Sequence, residues 1–280
     1  MSITSLAKKI GDQKDPVRFL FSRILWHSGL CRFFKIDLGQ GLKLYFNPSA
    51  LSATLWAESS ADKGEESFLR NYLKNGDVFV DVGANIGLLT VIAAGAVGEE
   101  GKVVSIEPHP KIFGFLRKNI KLNNFSNVEA HNLAVGDKIG ELLFSDHKSD
   151  EQNMVSTGGS IKVKAVLLDS LVSPDIKKID LLKIDIEGYE LFALKGASSL
   201  LARTDAICFE SWDRHFGRYG YSPRDVFELL NKNGFRIFKI SGNDLLEIGD
   251  DYTSKDCENL LAVKDPKTLK ERASYLTIVE

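Results

Sequence analysis

Three stretches of the chain gather residue types that bind a nucleoside and move a proton. The first is DVFVDVGANIG, Asp77 to Gly87, in which an apolar run carries Asp81 and opens into a turn of Gly83, Ala84, Asn85, Ile86 and Gly87. Glycine lets the backbone approach a ligand closely. The helix expected behind the turn presents unpaired N–H groups and the positive end of its dipole. The second is Ile106-Glu107-Pro108, with Glu107 twenty residues after Gly87. From that position a carboxylate reaches the two ribose hydroxyls of a nucleoside cofactor. The third is DLLKIDIEGYE, Asp180 to Glu190. A strand period of two puts Lys183, Asp185 and Glu187 on one face. Three charges there must pair as buried ions or open into a polar pocket. The carboxyl end of such a strand is the ligand side of a doubly wound sheet. That favours a pocket for Asp185 and Glu187, and a structural role for Lys183.

A glycine turn followed by a strand-end acid suits either a nicotinamide dinucleotide or S-adenosylmethionine (SAM). The turn lacks the third glycine of GxGxxG, so the case for a pyrophosphate is weak. Asp81 would repel a pyrophosphate, whereas it suits a sulfonium ligand carrying an ammonium group. The electrostatics therefore favour SAM, held by Asp81, Gly83, Ala84, Asn85, Gly87 and Glu107. Methyl transfer to oxygen is an in-line displacement that depends chiefly on alignment. A hydroxyl acceptor also needs its proton removed. His109, Asp185, Glu187, Glu210 and His215 are the candidates, and His109, Asp185 and Glu187 carry the catalytic expectation. Asp185 with Glu187 is a thin ligand set for a divalent cation, and no metal is expected. The segment Ser211 to Ser222, SWDRHFGRYGYS, combines aromatic faces with polar groups that suit a sugar ring. Trp212, His215 and Tyr219 are the expected acceptor contacts.

The elements that must position these residues follow from periodicity and turn signals. Apolar runs at Asp77–Val82, Val103–Ile106, Val128–Val135, Leu181–Ile186 and Ala206–Glu210 alternate with helical stretches at 88–98, 111–122 and 189–201. Ser222-Pro223 caps another helix that ends at Gly234, and 235–240 and 259–263 add two strands. Such alternation implies βαβ units and a mainly parallel sheet with helices on both faces. Glu141–Phe144 and Ile161–Leu168 interrupt it as an antiparallel insertion. Residues 1–75 read as a helical and strand extension, capping the substrate cleft of a domain formed by 76–280. Within it, Val17–Phe34 mixes large apolar side chains with Arg18, Arg23, His27 and Arg32. A helix packed by its apolar stripe on the main domain is the preferred reading, ahead of one lying on a membrane.

With 36 basic and 38 acidic residues among 280, the chain has a formal net charge of −2, and no global field points to nucleic acid. Three cysteines without CxxC spacing argue against a disulfide framework or zinc knuckle and suit a reducing compartment. The opening MSITSLAKKIGDQKDP lacks the apolar stretch of a signal peptide, and no apolar run reaches the roughly 18 residues of a spanning helix. A cytoplasmic enzyme acting on a small molecule or glycan is the expectation.

Taken in order, DVGANIG, SIEPHP, LAVGD, LDSL and LLKIDIEGYELFALKGA resemble the FkbM family of SAM-dependent methyltransferases, over roughly residues 64–210. The resemblance implies a class I methyltransferase sheet and methyl transfer to a hydroxyl of a sugar or polyketide-type product. It carries the cofactor loop to Asp81, Gly83, Ala84, Asn85 and Gly87, the ribose acid to Glu107, and the acidic pocket segment to Asp185 and Glu187. The region up to about residue 60 and the region after Trp212 hold no family motif. The rivals are a nicotinamide oxidoreductase on the same architecture and a catalytically silent nucleoside-binding scaffold.

Overall fold

The computed structural model describes residues 15–57, 64–146 and 153–279. Its N-terminal part comprises α1 (Pro16–Ser28), β1 (Lys35–Asp37), β2 (Lys43–Tyr45), α2 (Ala50–Ala57) and α3 (Glu65–Tyr72). Then come β3 (Val78–Val82), α4 (Leu88–Val97), β4 (Lys102–Ile106), α5 (Pro110–Leu122) and β5 (Val128–His131). A small second sheet is built from β6 (Ala134–Val135), β7 (Gly140–Phe144) and β8 (Ile161–Val166). The chain returns through β9 (Ile179–Ile184), α6 (Glu190–Lys195), α7 (Ser198–Ala202), β10 (Thr204–Ser211), α8 (Asp213–Gly217) and α9 (Pro223–Lys232). It closes with β11 (Arg236–Ser241), β12 (Asp244–Glu247), β13 (Glu258–Val263), α10 (Pro266–Arg272) and β14 (Thr277–Val279).

The main sheet has nine strands in the order β14-β12-β11-β13-β10-β9-β3-β4-β5. Its heart, β5 through β10, is parallel, and β13 runs antiparallel between β10 and β11. This is the α/β, mainly parallel sheet with helices on both faces that the sequence implies. Strand alternation sorts the core onto two faces. Phe79, Leu181, Ala206 and Leu261 pack with Leu69 of α3, Val91 of α4 and Phe115 of α5. Val80, Leu182, Ile207 and Phe209 pack with Leu194 of α6 and Phe227 of α9. The N-terminal elements share the first cluster through Leu44 and Phe46. Asn119 of α5 and Asn123 just beyond it pin β2, accepting from Tyr45 N at 2.8 Å and Lys43 N at 2.9 Å.

Strand order reverses at the sheet centre: β4 lies on one side of β3, and β9, far later in sequence, on the other. A crevice opens outside the carboxyl ends of strands at such a switch point.

Several elements depart from the periodicity reading. The run 128–135 is broken after His131, because Asn132 turns to donate from Nδ2 to the carbonyls of Glu107 and Pro108, at 2.9 and 2.8 Å. Residues 134–135 then join the second sheet. The helix expected over 189–201 is two short helices meeting at Gly196, where a Cβ would lie 2.1 Å from the Gly136 carbonyl. The strand expected to reach Ile186 ends at Ile184, and Glu187 takes a left-handed φ of 58°. The antiparallel insertion appears as the β7–β8 pair. Among the described residues no helix is long and apolar enough to cross a membrane.

Candidate active site

A cleft of about 440 Å³ occupies the switch point, within the range of small-molecule sites. Asp81, Gly83, Ala84, Asn85, Glu107, Lys183, Asp185 and Glu187 line it from the strand ends. Leu51, Glu65 and Glu66 close it from the N-terminal part, and Phe144 and Asn153 from the insertion. The strand-end residues named from the sequence thus converge in one place.

The glycine turn is shaped by its neighbours. Gly83 has φ +87°, and a Cβ there would lie 1.9 Å from the Asp185 carbonyl oxygen, so no side chain fits. The Gly83 and Ala84 amides both donate to the Ile106 carbonyl at 3.0 Å, welding the turn to β4. Gly87, at φ +90°, is the N-cap of α4 and stands behind the wall against Leu116. Asp81 is buried beneath the turn, its Oδ2 accepting from Thr90 Oγ1 at 2.6 Å. Burial pushes its carboxyl up to about 6, against the pull of Thr90 and Lys183. Thr90 and its neighbour Ser105, 2.9 Å away, are parts of this site that sequence reasoning missed.

Glu107 is held open by the backbone. Its Oε2 accepts from Asn85 N at 3.0 Å and its Oε1 from His109 N at 2.8 Å. The two backbone donors orient this carboxylate at the cleft wall, where a ribose would lie. A buried acid, a glycine turn that lets a ligand approach closely and an oriented carboxylate around one cleft fit a cationic nucleoside such as SAM.

The third stretch divides its charges differently from the strand-face expectation. Lys183 is fully buried, with Nζ 2.6 Å from Glu65 Oε1, 2.8 Å from Asn259 Oδ1 and 3.5 Å from Asp185 Oδ2. Its main partner is therefore Glu65 of α3, and the Asp185 side chain, 41% exposed, faces the cleft. Glu187 does not reach its position by strand alternation. The turn Asp185–Gly188 carries it, and Glu190 holds that turn by accepting from Ile186 N at 2.9 Å and Gly188 N at 3.3 Å. Tyr221 donates to the Gly188 carbonyl at 2.7 Å.

Behind Glu187 stand Glu210 and His215. His215 Nδ1 lies 3.2 Å from Glu210 Oε2 and 3.5 Å from Glu187 Oε2. With carboxylates on both sides, Nδ1 is the ring nitrogen placed to donate. One donor atom from each of the three residues lies within 4.8 Å of the other two, a spacing that can hold a metal ion. The sequence reading paired Asp185 with Glu187; the structure groups Glu187 with Glu210 and His215 instead. Burial and then the charges of Glu210, Asp185 and Glu190 push the Glu187 carboxyl up to about 8. Burial would also raise Glu210, but hydrogen bonds from His215 and Cys257 outweigh it and hold that carboxyl low.

The remaining site expectations fall outside the cleft lining. His109 is the N-cap of α5, buried, with Nε2 3.3 Å from Asp146 and Nδ1 unpaired among the described residues. Tyr219 donates its hydroxyl to the Val155 carbonyl at 2.7 Å and packs on Tyr189 and Phe192. Trp212 donates from Nε1 to the Lys255 carbonyl at 3.2 Å, with its ring 4.2 Å from that of His215.

A family model described as the Methyltransferase FkbM domain matches residues 81–237, more than half of the chain. The hexuronic acid methyltransferase AglP of Haloferax volcanii is 29% identical over 195 residues, covering 67% of this chain and 77% of AglP. Methyltransferase 1 of Beauveria bassiana is 24% identical over 196 residues, covering 58% and 74%. Among solved structures, the FkbM methyltransferase of Methylobacillus flagellatus KT aligns with a TM-score of 0.45 at 17% identity, covering 76% of this chain and 54% of that one. The matched span runs from the buried acid under the glycine turn through the strands that carry the cleft, and the chain belongs to the FkbM family of methyltransferases.

Proposed function

We propose that the protein transfers a methyl group from SAM to a hydroxyl oxygen of a sugar or glycan, with Glu187 as the general base. The methyl donor is that of the family; when bound it supplies an electrophilic methyl on a positively charged sulfur. Glu107 accepts from the ribose hydroxyls, and the Gly83–Gly87 turn and Asp81 hold the rest of the donor. Leu51 of α2 and Glu65 and Glu66 of α3 cap the cleft, which limits water at the reacting hydroxyl. His215 stands behind Glu187 on the acceptor side and Trp212 packs against His215, while the Tyr219 hydroxyl is already engaged and serves packing. The sugar class is supported by the name of AglP, a hexuronic acid methyltransferase.

One observation carries this reading: the Glu187 carboxyl stands on the cleft wall 3.5 Å from His215, itself 3.2 Å from Glu210, where burial and neighbouring carboxylates push it up to about 8 and make it a stronger base than an ordinary glutamate. A base must be deprotonated to act, so the single-turnover rate should rise with pH and level off above about 8. Glu187→Gln should lower kcat by about 10² to 10⁴, abolish that limb and leave SAM affinity near wild type. A panel of hexuronate and neutral-sugar acceptors, read by mass for one added methyl, identifies the acceptor. An unchanged rate in a folded Glu187→Gln variant sinks the assignment. The three-donor grouping supports a second reading, in which a divalent cation at Glu187, Glu210 and His215 lowers the hydroxyl's pKa. Loss of the wild-type rate in chelator, restored by magnesium or manganese, would establish it.

A further inference from the structure

Helix α1 has two apolar faces, one buried and the other largely open to solvent. Phe19 and Leu25 are buried against the body of the protein. Val17, Leu20, Phe21 and Ile24, at i, i+3, i+4 and i+7, form a second stripe that stands 47–78% exposed. Just beyond the helix, Phe33 is 70% exposed. Seven of the twelve large apolar side chains exposed among the described residues lie between 17 and 34, so this is a patch and not scatter.

Between the helix cap Asp15 and Asp37 the formal charges have one sign. Between Pro16 and Ile36 the sequence has Arg18, Arg23, Arg32 and Lys35 and no Asp or Glu. At about 100° per residue, Arg18 and Arg23 fall on opposite flanks of the exposed stripe. All four cations rest on aromatic rings: Arg18 over Trp56, Arg23 over Phe19, Arg32 over Phe33 and Lys35 over Tyr45, at 4.8–5.6 Å. Stacking on a ring braces a cationic side chain and does not itself neutralise it.

We propose that the open face of α1, with Phe33, docks onto a bilayer surface carrying anionic lipid headgroups. An apolar stripe flanked by cations is the arrangement that inserts side chains below the headgroups while arginines meet the phosphates. Docking there also orients the cleft, since Phe21 stacks on Trp56 of α2 and Leu51 of the same helix lines the cleft. This proposal stands on exposure and charge alone and is independent of the acceptor's identity.

Sedimentation of the full-length protein with vesicles tests it. Vesicles of equal parts phosphatidylglycerol and phosphatidylcholine should carry the protein down, and vesicles of phosphatidylcholine alone should not. Binding should weaken as salt rises. Arg18→Gln with Arg32→Gln should weaken vesicle binding about 30-fold, at about fivefold per cation. Leu20→Asp with Phe33→Asp should abolish it, while melting temperature and SAM affinity stay near wild type because both residues are exposed. Failure of the wild type to sediment with the anionic vesicles overturns the proposal, as does equal sedimentation with the neutral ones. A solution dimer that the Leu20→Asp, Phe33→Asp variant dissociates would also overturn it, by showing that a second copy covers the face.

Discussion

Glu107 joins two tasks in one carboxylate. It ties the Asn85 and His109 amides together across the cleft floor and, in the proposed reading, accepts from a ribose. Replacing it with alanine therefore removes more than a ligand contact, because two amides lose their partner. Glu107→Gln, which can still accept from one amide, separates the tasks. SAM binding should weaken by about 1.5 to 3 kcal/mol in that variant, the range of hydrogen bonds to a charged group. Calorimetry of a variant with unchanged melting temperature checks it, and an unchanged affinity would remove Glu107 from the ribose. Gly83 shows the stricter kind of constraint. Gly83→Ala must push the Asp185 backbone aside and hold a side chain at φ +87°, so a stability loss of about 2 to 4 kcal/mol is expected in thermal unfolding. The need for glycine was legible in the motif. Its physical reason was not, because the carbonyl it avoids lies about a hundred residues later in the chain.

Helix α3 reaches Lys183 through one carboxylate, Glu65, and that changes the energetics of the acidic stretch. Lys183 looks from sequence like the partner of Asp185, two residues away on the same strand face. In the structure Glu65 at 2.6 Å and Asn259 at 2.8 Å hold it, and Asp185 is a third, longer contact. Glu65→Gln should thus cost more stability than Asp185→Asn, about 1 to 2 kcal/mol against less than about 1. Chemical denaturation of the two variants tests the order, and the reverse order would return Lys183 to Asp185. Elements with strong local signals were legible: β3 with its glycine turn, and the Ser222-Pro223 start of α9, where Ser222 and Asp225 form a capping box. Others had no such signal. Ala50–Ala57 is apolar almost throughout and shows no helical stripe. The four-residue β12 exists only through its pairing with β11 and β14. Asn132 breaks its strand for the sake of two carbonyls on the neighbouring strand's extension, a partner that no window of local sequence contains.

Across the whole molecule the near-neutral charge conceals a concentration of carboxylates at one end of the sheet. Asp185, Glu187 and Glu190 follow β9 and Glu210 ends β10; parallel pairing of the two strands brings them together. Only the topology could reveal this, since the strands are separated by two helices. Glu190 is fully buried, and burial, with the charges of Glu210 and Asp185, raises its carboxyl from an ordinary value near 4.5 to about 8, despite two backbone N–H donors that favour the ionised form. The sign of the consequence follows from linkage. Below the unfolded value near 4.5, both folded and unfolded chains hold the proton, and the group's stabilising contribution is fully present. Between about 4.5 and 8 the unfolded chain has lost the proton and the folded one has kept it, so stability falls as pH rises. Above about 8 the loss is complete. Each tenfold difference in proton affinity between the two states corresponds to about 1.4 kcal/mol, so Glu190 alone contributes a decline of a few kcal/mol over that window. Glu190→Gln keeps the size and an acceptor for the Ile186 amide without a titrating proton, and should remove the decline. Unfolding free energies of both proteins, measured from pH 5 to 9, give the test. The variant should lose little at pH 5 and gain on the wild type as pH rises towards 9. A constant difference across the range would mean that Glu190 is ionised in the folded protein, and that the turn carrying Glu187 is braced by a charge.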